Sequence, residues 1–515
     1  MKYKPTWEFQ RMIRAFIFVF GLQLFASAAE APAPAAPKRP NIVIILADDV
    51  GVGDLSCNGA TKYKTPSLDM MAASGINFRA GYSAGSTCTP SRFSLLTGNL
   101  PWRQKGTGIL PGDAALILPT ADQATLPSRL KAAGYTTAAI GKWHLGLGDG
   151  KQPIDWNKEV IPGPREVGFD YSFIMPATAD RTPCVFLRNG KVVDLDPADP
   201  ITVSYKHKVG DDPTGKENPE LLEMGLTAGH DGTIVNGISR IGFMSGGKKA
   251  RWIDQDIADT LTGQAVQFIK ENKDKPFFVY LATHDTHVPR APHSRFVGKS
   301  GLGPRGDSML QLDWTVGAVM AALVEHKLLD NTLVIFSSDN GAVLGDGYAD
   351  QAQELLGDHK PSGPWKGGKY SNFEGGTRVP FLATWSGRIK PGVSDAIIGQ
   401  VDLYSSLCSL AGAPALTAGI AVDSLDQKAA LLGDSPKGRE WLLGGAGPNT
   451  LRVGEWKLIP GGGKKKGRSG SAPGAQLFNL AADPGETKDL SAAHPDKVKE
   501  MMERFEQLKS QPQTR

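Results

Sequence analysis

Along this chain, unbroken apolar runs alternate with stretches in which apolar residues recur every three to four positions. Asn41–Ala47 reads NIVIILA, a β-branched run with no polar interruption after its first residue. That is the pattern of a central parallel strand covered on both faces. It recurs at Tyr135–Ile140, Phe277–Ala282 and Leu333–Phe336, while helical periodicity occupies Ile257–Ile269 and Leu310–Leu323. Strand alternating with helix predicts an α/β fold with helices on both faces of one sheet. A further helix is predicted from Cys88, where Pro90 and Ser91 are N-terminal signals, to Gly98, a stop signal. After about Val401 the pattern shifts to shorter strand-like segments, Leu451–Ile459 and Ala475–Leu480, followed by a charged amphipathic helix at Pro495–Leu508. One large α/β domain over 41–400 and a small α+β subdomain over 401–515 are therefore expected. No repeat of solenoid period is present.

Composition narrows the class. The chain has 515 residues and a formal net charge of +4, too weakly basic for nucleic acid or an anionic membrane surface as a partner. Lys2, Lys4, Arg11 and Arg14 precede an apolar run from Ala15 to Ala26 and an A-x-A site at Ala26-Ser27-Ala28. Residues 1–28 thus read as a signal peptide, too short to span a bilayer, so an exported, periplasmic or secreted protein without a stable membrane anchor is expected. Residues 29–40, rich in Ala and Pro, read as a linker. The irregular spacing of Cys57, Cys88, Cys184 and Cys408 is unlike a disulfide scaffold. The Gly-rich basic stretch Gly461–Gly470 reads as a solvated hairpin tip.

The polar residues that follow the strand-like runs carry the chemistry. Asp48-Asp49 end the first, Gly141-Lys142-Trp143-His144 the second, His284-Asp285-Thr286-His287 the third and Asp339-Asn340-Gly341 the fourth. Ligands of open α/β sheets bind outside the carboxyl ends of the strands, so four strands deliver Asp, Lys, His and Asn to one edge. Asp48, Asp49, Asp339 and Asn340 are hard oxygen donors that suit Ca²⁺ or Mg²⁺ and not zinc. Cys88, at the start of a helix, sits where free N–H groups and the helix dipole attract anions, and Arg92 lies one turn on along the same face.

The string from Cys88 through Arg92 to Leu96-Thr97-Gly98 resembles the sulfatase signature C-x-P-S-R-x-x-x-L-T-G, whose cysteine is oxidised to the aldehyde Cα-formylglycine. Gly134–His144 resembles the second signature, G-Y-x-T-x-x-x-G-K-W-H. Trp365–Lys369 with Phe373–Pro380 resembles a third block, and Gln476–Pro484 resembles sulfatase tails. The resemblance implies an alkaline-phosphatase-like α/β/α sandwich with a small C-terminal α+β subdomain, and a sulfuric ester hydrolase. It implies that Asp48, Asp49, Asp339 and Asn340, with modified Cys88, hold calcium, and that a maturation enzyme forms the formylglycine. Arg92 matches the residue that orients the aldehyde, Lys142 and Lys369 the lysines on the sulfate oxygens, and His144 the histidine beside the formylglycine hydrate. His287, in His-Val-Pro, matches the histidine at the leaving oxygen, with His284 the competing candidate. The implied chemistry is attack on sulfur by one hydroxyl of the hydrated aldehyde, protonation of the leaving alcohol by His287, and expulsion of sulfate when the second hydroxyl loses its proton to His144. If Cys88 is consumed in this way, three cysteines remain and at most one disulfide can form.

The loops after the lysine motif carry Asp180, in Ala177–Arg181, and His230, in Gly229–Gly232; His359 lies in Gly357–Pro361. Loops of this kind carry specificity, and their wording resembles bacterial sulfatases acting on 6-O-sulfated galactose or N-acetylgalactosamine. Asp180, His230 and His359 are the candidates for reading the sugar. Two other readings remain at this stage: a phosphodiesterase or phosphonate hydrolase of the same superfamily, and a non-catalytic binder of sulfated glycans.

Overall fold

The computed structural model describes residues 39–445, 447, 449–461 and 474–515. The signal peptide expected at 1–28, nearly all of the linker and most of the basic loop lie outside the described residues. Ten strands form one mixed sheet: β1 (Asn41–Ala47), β2 (Ile76–Tyr82), β3 (Thr136–Lys142), β4 (Tyr171–Met175), β5 (Leu187–Arg188), β6 (Lys191–Val192), β7 (Phe277–Ala282), β8 (Thr332–Ser338), β9 (Phe381–Thr384) and β10 (Gly392–Gly399). Their order is β10-β2-β9-β8-β1-β7-β3-β4-β5-β6. The unbroken apolar runs occupy its centre. β1 lies parallel between β7 and β8, with Val43 opposite Val279 on one side and Val334 on the other. Every residue of β1, β7 and β8 is buried, and each such Ile, Val or Leu stabilises the fold by roughly 1.5–3 kcal/mol. The sheet is mixed because β9 and β5 each run antiparallel to both of their neighbours.

The helix Ile257–Glu271 packs on Gly303–Glu325, which also meets Pro66–Ser74; Cys88–Thr97 packs with Leu126–Ala132 and Leu403–Ala411. Ile257–Glu271 and Leu126–Ala132 both touch β3. The helix at Cys88 starts and stops where the sequence says. Thr87 is extended at its N-cap, and Gly98 closes it at φ 67°. A side chain on Gly98 would also collide, its Cβ lying 2.5 Å from that of Ala421.

At the C-terminal end a separate antiparallel sheet joins Trp441–Gly444, Thr450–Val453, Trp456–Ile459 and Gln476–Asn479. The segment Leu451–Ile459 is a hairpin, because Gly454 turns the chain at φ 57°. Leu443, Leu451, Leu458 and Leu477 bury one face of this sheet against Met501, Phe505 and Leu508 of the helix Pro495–Ser510. Among the described residues no helix is long and apolar enough to cross a membrane, and all four cysteines are free thiols.

Candidate active site

The carboxyl edges of β1, β3, β7 and β8 bring the charged residues together. Asp48, Asp49, Asp339 and Asn340 are fully buried. The Cys88 sulfur and one oxygen from each of Asp48, Asp49 and Asp339 all lie within 4.8 Å of one another. Asn340 donates through Nδ2 to Asp49 Oδ1 at 2.7 Å, while its buried Oδ1 has no hydrogen-bond partner among the described residues. A bare amide oxygen beside three carboxylates is the donor set a hard divalent cation takes, so calcium fits these residues. Burial, and then the Asp339 carboxylate, push Asp48 up to about 8. Asp49 turns the chain at φ 60°, a left-handed conformation that costs a non-glycine residue roughly 1–2 kcal/mol.

Three cations face the three carboxylates. Arg92 donates to Asp339 Oδ2 through Nε (2.9 Å) and Nη2 (2.7 Å), and to the Lys142 carbonyl through Nη1 (2.9 Å). Lys142 is hydrogen-bonded to Asp48, and Lys369 reaches Asp49 Oδ2 at 2.9 Å and Asp346 Oδ2 at 3.0 Å. Burial opposes the charge on both lysines, yet Asp48 in one case and Asp49 in the other hold their pKa above the ordinary value. Once a divalent cation joins these three cations, positive charge outweighs the carboxylates Asp48, Asp49, Asp339 and Asp346, which suits an anionic ester. Burial pushes the Cys88 thiol up to about 12 despite Lys142, so the unmodified sulfur is neutral and a poor nucleophile at neutral pH.

The histidines occupy two distinct roles. His144 Nε2 lies 2.9 Å from the Leu110 carbonyl, which can only accept, so Nε2 carries the proton. Its Nδ1 is buried without a partner among the described residues. Burial, then Lys142 and Arg181, hold this imidazole well below its usual pKa, leaving Nδ1 a free base. His287 Nδ1 donates to the Val288 carbonyl at 2.7 Å, and its Nε2 lies 3.9 Å from Asp49 Oδ2. Burial, Lys369 and Lys142 lower its pKa as well. His284 is also buried, but its nearest ion-pair partner is Asp285, at 3.6 Å.

Asp180 and His230, fifty positions apart, meet at 3.1 Å between Oδ2 and Nε2. Arg181 Nη1 binds both Asp180 oxygens, at 2.8 and 2.9 Å. Asp180 lies within electrostatic reach of His287, and Arg181 within reach of Cys88 and His144. His359 Nε2 lies 2.9 Å from Asp54 Oδ1, in a buried group with Tyr63 and with Arg305, which is within electrostatic reach of Asp49.

The sulfatase family model matches residues 40–413. The chain belongs to the sulfatase family. It is 50% identical over 481 residues to an N-acetylgalactosamine-6-O-sulfatase of Bacteroides thetaiotaomicron, covering 92% of this chain and 94% of that protein. It is 32% identical over 500 residues to human arylsulfatase A, covering 92% and 88%. A solved structure from work on glycosaminoglycan metabolism by B. thetaiotaomicron superposes with a TM-score of 0.89 at 49% identity, covering 92% of this chain and all of the other.

This sulfatase is a sulfuric ester hydrolase with the α/β/α architecture of its relatives. Two residues of the site escaped the sequence reading. Arg181 is adjacent to Asp180, in a polar loop whose pattern does not single it out. Asp346, which shares Lys369 with Asp49 and accepts from the Tyr370 hydroxyl at 3.1 Å, lies in a Gly- and Asp-rich loop with no periodic signal. It follows Asn340 by six residues, on the carboxyl side of β8.

Proposed function

We propose that this sulfatase removes the 6-O-sulfate from galactose or N-acetylgalactosamine at glycan ends, after export and maturation of Cys88 to Cα-formylglycine. The observation that carries the specificity is the pair of buried Asp180 and half-buried His230 beside the charged cluster. A primary 6-sulfate extends from its ring, so it can reach a deep site while the ring stays at the rim. There a carboxylate and an imidazolium can accept from and donate to the axial 4-hydroxyl that separates galacto from gluco sugars. The name of the relative at 50% identity supports the same substrate class.

Hydrated formylglycine would supply one hydroxyl to take the sulfuryl group and a second through which sulfate leaves. Calcium, held by Asp48, Asp49, Asp339 and Asn340, would supply positive charge at that oxygen and at the ester. Lys142 and Lys369 hold the sulfuryl oxygens and neutralise charge that grows in the transition state. Arg92 fixes Asp339 from beneath. His144, neutral with Nδ1 bare, takes the proton whose loss releases sulfate. His287 protonates the departing sugar oxygen through Nε2. The lysines that depress its pKa are offset when an anionic ester lies between them, and the Asp180 charge then favours the proton.

Initial rates on 6-sulfated galactose and N-acetylgalactosamine, their 4-sulfated isomers and 6-sulfated glucosamine test the reading. The 6-sulfated galacto sugars should be fastest. A preference for a gluco sugar or a 4-sulfate would refute the substrate class and leave the family unchanged.

A further inference from the structure

We propose that the small C-terminal sheet positions the catalytic machinery through a buried ionic clamp, in which Lys457 is held between Glu374 and Glu486. The inference rests on the roles given above to Asp339, Asn340 and Lys369. Lys457 lies on the strand Trp456–Ile459, and its Nζ is 3.0 Å from Glu374 Oε1 and 2.9 Å from Glu486 Oε1. These are charge contacts, without hydrogen-bond alignment between the groups. All three side chains are buried, Lys457 at 2% exposure. Glu486 Oε2 also accepts the Glu374 backbone N–H at 2.6 Å, and the Glu486 carbonyl accepts Lys366 Nζ at 3.2 Å. Glu486 achieves this at φ 49°, a backbone conformation rare outside glycine.

The turn that the clamp grips, Glu374–Thr377, touches both halves of the site. The Gly341 N–H donates to the Gly376 carbonyl at 3.0 Å, tying the turn to the residue after Asn340. The approach is so close that a Cβ on Gly341 would lie 1.7 Å from the Gly375 carbonyl oxygen. On the other side the Gly375 N–H donates to the Lys366 carbonyl at 2.8 Å, and the Lys369 N–H to the Ala342 carbonyl at 2.9 Å. Glu374 is gripped as well by Tyr82 at the end of β2 and by Arg378 Nη1, just after the turn, at 3.1 Å. Lys457, with Arg378 and Arg452, overcomes burial to hold the Glu374 carboxyl near 2, so it stays charged at working pH. A shift of Glu374 therefore moves the calcium loop and the Lys369 loop together. Positional errors of about 1 Å made far from the chemistry can cost roughly 10²-fold in rate.

The test uses the full mature chain carrying Lys457→Met, with Glu486→Gln as a milder variant that keeps shape and loses charge. Calcium affinity is read by isothermal titration, and kcat and KM with a small aryl sulfate. Both variants should bind calcium at least tenfold more weakly and lose kcat by roughly 10–10², with KM changing less, while Cys88 conversion stays at the wild-type level. If Lys457→Met fails to fold, Glu486→Gln decides. Wild-type calcium affinity and kcat in a folded variant, or an activity loss equal to the unfolded fraction, would overturn the clamp. A wild-type protein that binds no calcium would instead refute the reading of the site on which the clamp rests.

Discussion

Replacing Asp180 by alanine should separate sugar recognition from sulfate chemistry. The carboxylate is buried, accepts from Arg181 at 2.8 and 2.9 Å and from His230 at 3.1 Å, and is held well below the usual carboxylate range against the penalty of burial by Arg181 and His230. The variant loses one charge-assisted bond to the sugar hydroxyl, and it frees His230, whose own bond to the sugar is then misplaced. At about 1.5–3 kcal/mol for each such bond, the loss is about 3–6 kcal/mol. With about 1.4 kcal/mol per factor of ten, kcat/KM for the 6-sulfated galacto sugar should fall on the order of 10²–10⁴-fold. A small aryl sulfate has no 4-hydroxyl to read. It should fall by no more than about tenfold, through the loss of the Asp180 charge felt by His287. The assay is the ratio of the two kcat/KM values in wild type, Asp180→Ala, His230→Ala and the double variant. The double variant should lose less than the product of the singles, because the two residues share a hydrogen bond. Equal loss of both activities would refute the reasoning and make the pair a support of the catalytic centre.

The same pair carries a pH dependence. Burial opposes charge on His230, but its hydrogen bond to Asp180 and the Asp180 charge raise its pKa above 6.5. Its charged contribution is thus complete below 6.5 and lost as pH rises through the raised value. The preference for galacto 6-sulfate over aryl sulfate should decline on the alkaline side, and a ratio that stays flat there contradicts a charged His230. Asp339→Ala removes a carboxylate proposed to hold calcium and leaves the fully buried Arg92 with only the Lys142 carbonyl and Asp48, 3.5 Å away. It should destabilise the fold by about 3–5 kcal/mol and abolish calcium binding, as read by denaturant unfolding and titration; unchanged calcium affinity would exclude Asp339 from the ligand set. His287→Ala should impair sugar sulfates far more than esters of acidic phenols, which need no general acid. His144→Ala should release about one equivalent of phenol per enzyme and then stall. Steady turnover in that variant would remove His144 from the release step.

The parts legible in the sequence are those with a local signal. β1, β7 and β8 are buried on both faces, so their runs of Val, Ile, Leu and Phe stand out, and the polar residues after them necessarily gather at one edge. Cys88–Gly98 announces itself by its helix stop and start residues as well as by its signature. What could not be read is charge pairing between distant positions. Asp180 with His230, or Lys457 with Glu374 and Glu486, depends on loop paths and sheet packing that no periodicity encodes. His359 is a further case: its place in a polar loop does not reveal that it pairs with buried Asp54 beside Arg305. The hairpin within Leu451–Ile459 has a two-residue turn, Gly454-Glu455, between strand-like Val453 and Trp456, so its only signal is that pair.

Peptide mass spectrometry at Cys88, paired with turnover of a 6-sulfated galacto sugar on the same samples, tests the account most directly. Preparations made with and without a formylglycine-generating enzyme should span a range of conversion, each Cys88 peptide having its sulfur replaced by an aldehyde oxygen in proportion to the maturation achieved. The neutral, buried thiol, with its pKa near 12, cannot substitute for the aldehyde. Turnover should therefore rise linearly with the converted fraction and extrapolate to zero at none. Full activity in a sample whose Cys88 is entirely unmodified thiol would contradict the account.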